Sequence, residues 1–318
     1  MAFVKYTEIG DAVFDEKNYL ATGITELDKA IVGLGLGQLI IITGTRAGGK
    51  TTLIGNLICN FINNGFSGLL CSFEMTNKRL RQWLNLQALG KDRLKSEISL
   101  SGKEFFTPKD EYDVKAVDEW IGEKLEIYDN MSFDIDRVKK DIHERLTARP
   151  DIKFVILDNL MKLDTDAKFD SKWEMQSRFV KDLQIYAQAN NLCLILVAHP
   201  NKIKALPRIE DVGGSGDIIN AADTVLLVHR VTTDFKIRAK EYFDWNDSEI
   251  AFQYSNLIEI AKDREWGDDG SMIGVYFEPS AKRFLNYQNE NKQYKWYKHY
   301  EQSHSLEEID IEDGDLPF

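Results

Sequence analysis

The sequence predicts an α/β fold: a mostly parallel central sheet flanked by helices, with antiparallel strands at its C-terminal end. Three observations carry this prediction. The runs Leu39-Ile40-Ile41-Ile42, Phe154-Val155-Ile156-Leu157 and residues 192–198 are continuously apolar, as strands buried on both faces are. Helical segments alternate with these runs, the pattern of parallel strands joined by crossovers. Residues 257–261, 273–277 and 284–287 then read as a terminal antiparallel set.

The elements follow in order. Residues 1–21 carry no strong period and read as an N-terminal arm. Gly23-Ile24-Thr25-Glu26-Leu27-Asp28 leads to a Gly-rich turn at 33–37, and 38–44 is a strand. Leu53, Ile54, Leu57, Ile58, Phe61 and Ile62 then share one face of a helix. A strand at 69–74 and a helix at 77–89 precede a polar stretch, 95–115, that reads as irregular. A strand at 125–128, a helix at 133–147, a strand at 154–157, a helix at 175–189 and strands at 192–198 and 224–229 complete the alternation. Residues 234–250, charged and aromatic, read as a surface excursion. The expected organisation is arm 1–21, domain 22–290 and an acidic, disordered tail 291–318.

The chain has 318 residues, 43% hydrophobic, enough for one large α/β domain. Cys59, Cys71 and Cys193 form no C-x-x-C pair, which suits a reducing compartment and a cytoplasmic location. Neither a signal peptide nor an 18-residue apolar run is present. The net charge of −12 argues against a globally basic surface, although six acids of residues 307–318 supply half of it. A nucleic-acid-facing surface would therefore be local, such as a pore lining.

The chemistry begins at Gly44-Thr45-Arg46-Ala47-Gly48-Gly49-Lys50-Thr51, followed by Thr52. It matches GxxxxGK[ST], follows a strand and opens a helix. In that context backbone N–H groups curl around phosphates, Lys50 reaches the β- and γ-phosphates, and the Thr51 hydroxyl ligates Mg²⁺. The helix N-terminus adds partial positive charge. The ligand is thus ATP or another nucleoside triphosphate with Mg²⁺. Asp158 ends the buried strand at 154–157 and supplies a carboxylate to the metal. Two further strand ends carry Glu74 and His199. Taken alone, Glu74 is either a base for an attacking water or a helix-capping acid, and His199 either a γ-phosphate contact or a turn residue before Pro200.

The span from about 22 to 287 resembles the ATPase domain of hexameric, RecA-like replicative helicases of the DnaB type. The resemblance rests on the Gly23–Asp28 segment with Gly37-Gln38-Leu39, on the P-loop and on Ser72-Phe73-Glu74-Met75. Asp158-Asn159-Leu160 and Ala198-His199-Pro200 are closer to Twinkle and phage primase-helicases than to bacterial members, which usually carry Gln at the His199 position. The resemblance implies a RecA-like P-loop ATPase core in which Glu74 activates water and His199 senses the γ-phosphate. Lys262-Asp263-Arg264, with Gly267 after it, resembles the segment that sends an arginine finger into the next subunit. Arg264 would act there in trans with Lys262 on the γ-phosphate; by charge alone both are equally ordinary strand-end bases. Gly213-Gly214-Ser215-Gly216-Asp217 and Ala221-Ala222-Asp223 resemble the family's DNA loop and the strand entry after it.

In that frame Lys202, Lys204 and Arg208, with Gly213, Gly214, Ser215 and Gly216, would line a pore and hold single-stranded DNA. Lys168 and Lys172 would form a second loop. A homo-hexamer is implied, with an aromatic arm, Phe3 to Tyr19, packed on an adjacent subunit and priming left to a separate primase. The end Leu316-Pro317-Phe318 resembles the acidic tip of bacterial single-stranded DNA-binding proteins. It would dock a primase, polymerase or other replisome protein, or else it is a solubilising tail. The implied activity is an ATP-dependent, ring-forming replicative DNA helicase, phage-like, in a bacterial or infected host cell. The rivals are a RecA-type recombinase or filament-forming ATPase, and a nucleotide-switched replication adaptor.

Overall fold

The computed structural model describes residues 5–8, 14–129, 134–159, 172–200, 205–211 and 216–297, without the side chains of 172–174. The chain enters through β1 (Tyr19–Leu20), α1 (Thr25–Ile31) and β2 (Leu34–Gly35). It continues through β3 (Leu39–Gly44), α2 (Lys50–Asn63), β4 (Ser67–Ser72) and α3 (Asn77–Leu89). A hairpin of β5 (Leu94–Ile98) and β6 (Glu104–Pro108) is followed by α4 (Glu111–Ile121), β7 (Leu125–Ile127) and α5 (Ile135–Ala148). Next come β8 (Ile152–Asp158), α6 (Lys172–Asn190), β9 (Cys193–Val197) and α7 (Gly216–Ala221). The last elements are β10 (Thr224–Arg230), α8 (Thr233–Phe243), β11 (Asn256–Asp263), β12 (Met272–Glu278) and β13 (Arg283–Leu285).

Nine strands form one sheet in the order β13-β12-β11-β10-β3-β9-β8-β4-β7. From β10 to β7 every pairing is parallel. From β10 to β13 every pairing is antiparallel. β3 lies in the interior with all six residues buried. Its side chains alternate between two cores, because successive residues of a strand face opposite ways. Ile40 and Ile42 join Leu53, Leu57 and Phe61 of α2 on one side. Leu39 and Ile41 join Phe179, Val180 and Leu183 of α6 on the other.

The expected α/β architecture is present, with four differences in detail. The stretch at 95–115 is not irregular: β5 pairs antiparallel with β6, and α4 begins at Glu111 under an Asp110 cap that accepts from Tyr112 N at 2.9 Å. The hairpin has little apolar alternation because only Leu94 of β5 is buried. The excursion at 234–250 contains α8, capped by Thr232 Oγ1, which accepts from Phe235 N at 3.1 Å. Residues 14–20 of the arm pack on their own chain: Phe14 and Tyr19 lie 5.7 and 6.0 Å from the Trp266 ring, and β1 pairs with β2. The domain does not stop at 290. Tyr294 and Trp296 are buried, Trp296 Nε1 donates to Ala88 O at 3.1 Å, and Tyr294 stacks on Trp120.

The three cysteines are buried thiols, and burial pushes Cys59 and Cys71 up to about 12. Among the described residues no helix is long and apolar enough to cross a membrane.

Asn56, fully buried on α2, clasps β13. Its Nδ2 donates to Phe284 O at 3.0 Å, and its Oδ1 accepts from Phe284 N at 3.0 Å. Asn56→Ala leaves a buried N–H and a buried carbonyl unpaired and should lower the unfolding free energy in urea by ~2–4 kcal/mol. A loss within the error of the wild-type curve would show that β13 does not depend on this clasp.

Candidate active site

The phosphate loop is shaped by what lies beneath it. Gly44 closes β3 at φ 142°, where a Cβ would sit 2.2 Å from Val228 O of β10. Gly49 has φ 108°, and a Cβ there would meet the Phe284 ring at 2.7 Å. Both positions therefore require glycine, for backbone angle and for space. Gly48 N donates to Thr45 O at 3.0 Å and Leu53 N to Gly49 O at 2.9 Å, so the loop passes directly into α2. The first turn of α2 holds no acidic residue, leaving its N–H groups and partial positive charge for an anion.

Lys50 is 8% exposed, with Nζ donating to Gly44 O and Thr45 O at 2.9 Å each. Burial lowers its pKa, while the negative charges of Asp158 and Glu74 oppose the shift. Asp158, 5% exposed, ends β8 opposite Ser72 of β4. Its carboxyl is raised from 3.8 to about 7, first by burial and then by Glu74, with Lys50 working against both. A dry carboxyl held this far from its ordinary range is relieved by a cation. The donor set, a hydroxyl at Thr51 and a carboxylate at Asp158, is hard oxygen and fits Mg²⁺.

Glu74 lies two residues beyond β4 rather than within it. Its Oε1 accepts from Asn159 Nδ2 and stands 3.1 Å from His199 Nε2. Asn159 Nδ2 is in turn 2.8 Å from His199 Nε2. Asn159 is buried, whereas Glu74 and His199 reach the open space above the loop. That space is a cavity of about 660 Å³ bordered by residues 45–52, Glu74 and His199.

The P-loop residues Gly44 to Thr52, Glu74, Asp158 and His199 thus meet at the C-terminal ends of β3, β4, β8 and β9, where open α/β sheets bind ligands. Lys262 and Arg264 stand at the other end of the sheet. Asp263 pairs with Thr224, and Thr224 with Ile40 near the start of β3. Lys262 Nζ donates to Ile219 O at 2.7 Å and Ala222 O at 2.8 Å. The Arg264 guanidinium donates to Asp223 Oδ1 at 3.1 Å and to Asn220 O.

Arg208, expected as a DNA contact, is turned inward. Its guanidinium lies 3.3 Å from Glu259 and over the Tyr242 ring at 4.4 Å, because a buried carboxylate and an aromatic face attract it more than solvent does. Gly216 is exposed at the start of α7. Lys202, Lys204, Gly213, Gly214, Ser215, Lys168, the Lys172 side chain and the tip Leu316-Pro317-Phe318 lie outside the described residues.

Sequence reasoning assigned no role to Asn159, Arg230, Asn256, Phe284 or Trp83, all of which form or border the site. Asn159 had a signal, its place directly after Asp158, the expected metal ligand. Arg230 and Asn256 had none, since they become neighbours of the P-loop only through the order β11-β10-β3.

Residues 20–286 match the family model of the DnaB-like helicase C terminal domain. The chain is 23% identical over 309 residues to the replicative DNA helicase DnaB of Rickettsia bellii, covering 84% of this chain and 57% of that protein. It is 25% identical over 224 residues to the Twinkle homolog protein of Arabidopsis thaliana, covering 66% of this chain and 30% of that protein. In general the chain spans about half the length, or less, of the curated relatives it matches. Among solved structures it superposes on one described as an ATPase domain with TM-score 0.66 at 19% identity, covering 85% of this chain and 91% of that one. A DnaB-like replicative helicase, described with its interactions with primase, matches with TM-score 0.66 at 19% identity, covering 85% of this chain and 63% of that one. The chain belongs to the DnaB-like helicase C-terminal domain family.

Burial of Asp158 has a measurable consequence. Its folded pKa of about 7 exceeds its unfolded value, so the folded state binds the extra proton between the two. This contribution favours folding below about pH 4 and is lost as pH rises through about 7. Asp158→Asn cannot ionise. Without nucleotide or metal, its Tm should exceed wild type by ~5 °C near pH 8 and by about a third of that near pH 5. Parallel Tm–pH curves for the two proteins would refute the burial account.

Proposed function

We propose that this chain is the motor of an ATP-dependent replicative DNA helicase that hydrolyses ATP between subunits of a ring and translocates on single-stranded DNA. The observation that carries this reading is that the candidate site residues of one chain fall into two groups at opposite ends of the sheet. The P-loop, Glu74, Asp158 and His199 face one end of the sheet, whereas Lys262 and Arg264 face the other. Lys262 and Arg264 lie too far from this chain's own P-loop to reach its nucleotide; released from their contacts with α7 and Asp223 they would serve another copy's, which favours a homo-oligomer with a head-to-tail interface.

In the proposed cycle Lys50 exchanges the carbonyls of Gly44 and Thr45 for the β- and γ-phosphate oxygens. Backbone N–H groups of residues 49–52 receive the remaining phosphate charge. Mg²⁺ held by Thr51 and Asp158 would supply neutralisation of the transferred phosphoryl group. Glu74 leaves Asn159 to orient the attacking water and accept its proton. His199 Nε2, shared at rest between Asn159 and Glu74, turns to a γ-phosphate oxygen and reports its departure. Arg264 of the next subunit offsets charge in the transition state.

Six copies are proposed for the ring, with the glycine-rich segment around Gly213, Gly214, Ser215 and Gly216, and Lys202 and Lys204, facing DNA in the pore. A separate primase is the proposed priming partner, and the terminal Leu316-Pro317-Phe318 a docking point for replisome proteins. The proposed setting is the cytoplasm of a bacterial or infected cell.

Lys50→Ala should abolish unwinding of a forked duplex, and Glu74→Gln should retain ATP binding while lowering hydrolysis by ~10²–10⁴-fold. Wild-type protein that hydrolyses ATP on DNA as open filaments, without separating strands, would favour the recombinase reading and overturn this one.

A further inference from the structure

The ribbon of β10 and β11 has two faces with different duties. Towards the nucleotide, Asn256 Nδ2 donates to Gly48 O at 2.8 Å, and Val228 O lies against the glycines of the P-loop. Arg230, paired with Asn256 across the ribbon, borders the cavity. Side chains alternate along a strand, so His229 points the other way from Val228 and Arg230. There His229 and Glu259 are both buried, with Nε2 2.7 Å from Glu259 Oε2. A carboxylate only accepts hydrogen bonds, so Nε2 carries the hydrogen.

Glu259 has a second partner that does not belong to the ribbon. Arg208, 3.3 Å from Glu259 Oε1, lies in the segment 205–211 that follows β9 and His199. Rings of Tyr242 and Phe243 on α8 cover its guanidinium at 4.4 and 5.1 Å. Among the described residues its Nε and Nη1 have no hydrogen-bond partner, and charge and ring stacking hold it. Arg208 keeps part of its side chain in solvent, but Glu259 is buried, so drawing the two apart would take a cation from a buried carboxylate.

β11 also holds the chain beyond residues 212–215. Lys262 and Arg264 bond to carbonyls of Ile219, Asn220 and Ala222 at the end of α7. The segment before that stretch and the helix after it therefore both hang on the strand whose first residue grips Gly48.

We propose that Glu259 is a positioning residue that couples the nucleotide site to the DNA-facing segment, through Arg208 on one side and the β10–β11 ribbon on the other. This rests on the helicase reading above. Phosphate drawn into the loop moves the Gly48 peptide, Asn256 transmits the movement to β11, and Glu259 carries it to residues 205–211. Nucleotide occupancy thereby sets the affinity for single-stranded DNA, and by linkage DNA sets the affinity for nucleotide to the same degree.

The experiment measures binding of a labelled oligothymidylate with and without AMP-PNP, alongside ATPase activity in the absence of DNA. Glu259→Gln, which keeps shape but removes the charge that holds Arg208, should leave DNA-independent ATPase within about 2-fold of wild type. It should cut the AMP-PNP-dependent gain in DNA affinity by at least about 5-fold. The variant Arg208→Met leaves the His229–Glu259 bond in place, keeps the fold by thermal melting, and should lose the same gain. A full gain in either folded variant overturns the proposal while leaving the helicase reading intact. A wild-type protein with no nucleotide-dependent gain overturns the helicase reading and this inference together.

Discussion

Parallel pairing of β3 with β9 on one side and β10 on the other is the constraint from which the site follows. Three parallel strands in register, apolar through their middles, bring their C-terminal ends to one edge. The chain must leave that edge through loops, because each crossover returns to the opposite end. The P-loop, the Asp158 carboxyl and His199 are therefore neighbours although they lie up to 155 residues apart in sequence. The same geometry puts Lys262 and Arg264 out of reach. β11 runs antiparallel to β10, so its C-terminal residues arrive at the edge where β3 begins.

Burial then gives these residues their chemistry. Asp158 and Lys50 end in a region from which the sheet excludes water, and each is shifted towards its neutral form. Their charges, with that of Glu74, partly compensate one another, so the resting site is electrostatically incomplete. A polyphosphate with its divalent cation would complete it with charges of both signs. Glu74 and His199 are each tied to Asn159 while still facing the cavity.

Much of this was legible in the sequence, for identifiable reasons. β3, β8 and β9 announce themselves as unbroken apolar runs because both faces of each are covered. The P-loop is legible because its requirements are local: Gly44 and Gly49 are forced by backbone angle and by the atoms beneath them. The hairpin of β5 and β6 was not legible, since it packs almost no apolar face. Nor was the burial of Tyr294 and Trp296, which look like part of a polar tail until the pocket formed by Ala88 and Trp120 is seen. Arg208 shows the deepest limit. A basic residue in a loop near glycines reads as a phosphate contact, and only the register of β11 reveals that Glu259 waits beneath it.

The central claim is that one chain carries two complementary halves of a hydrolytic site and completes neither alone. Mixing two inactive variants tests it directly. Lys50→Ala retains Arg264, and Arg264→Ala retains the P-loop. Combined in equal amounts and allowed to exchange subunits, they should recover ATPase activity towards about a quarter of wild type, the share of interfaces with both halves intact. Activity that never exceeds the sum of the separate variants would contradict a site shared between subunits.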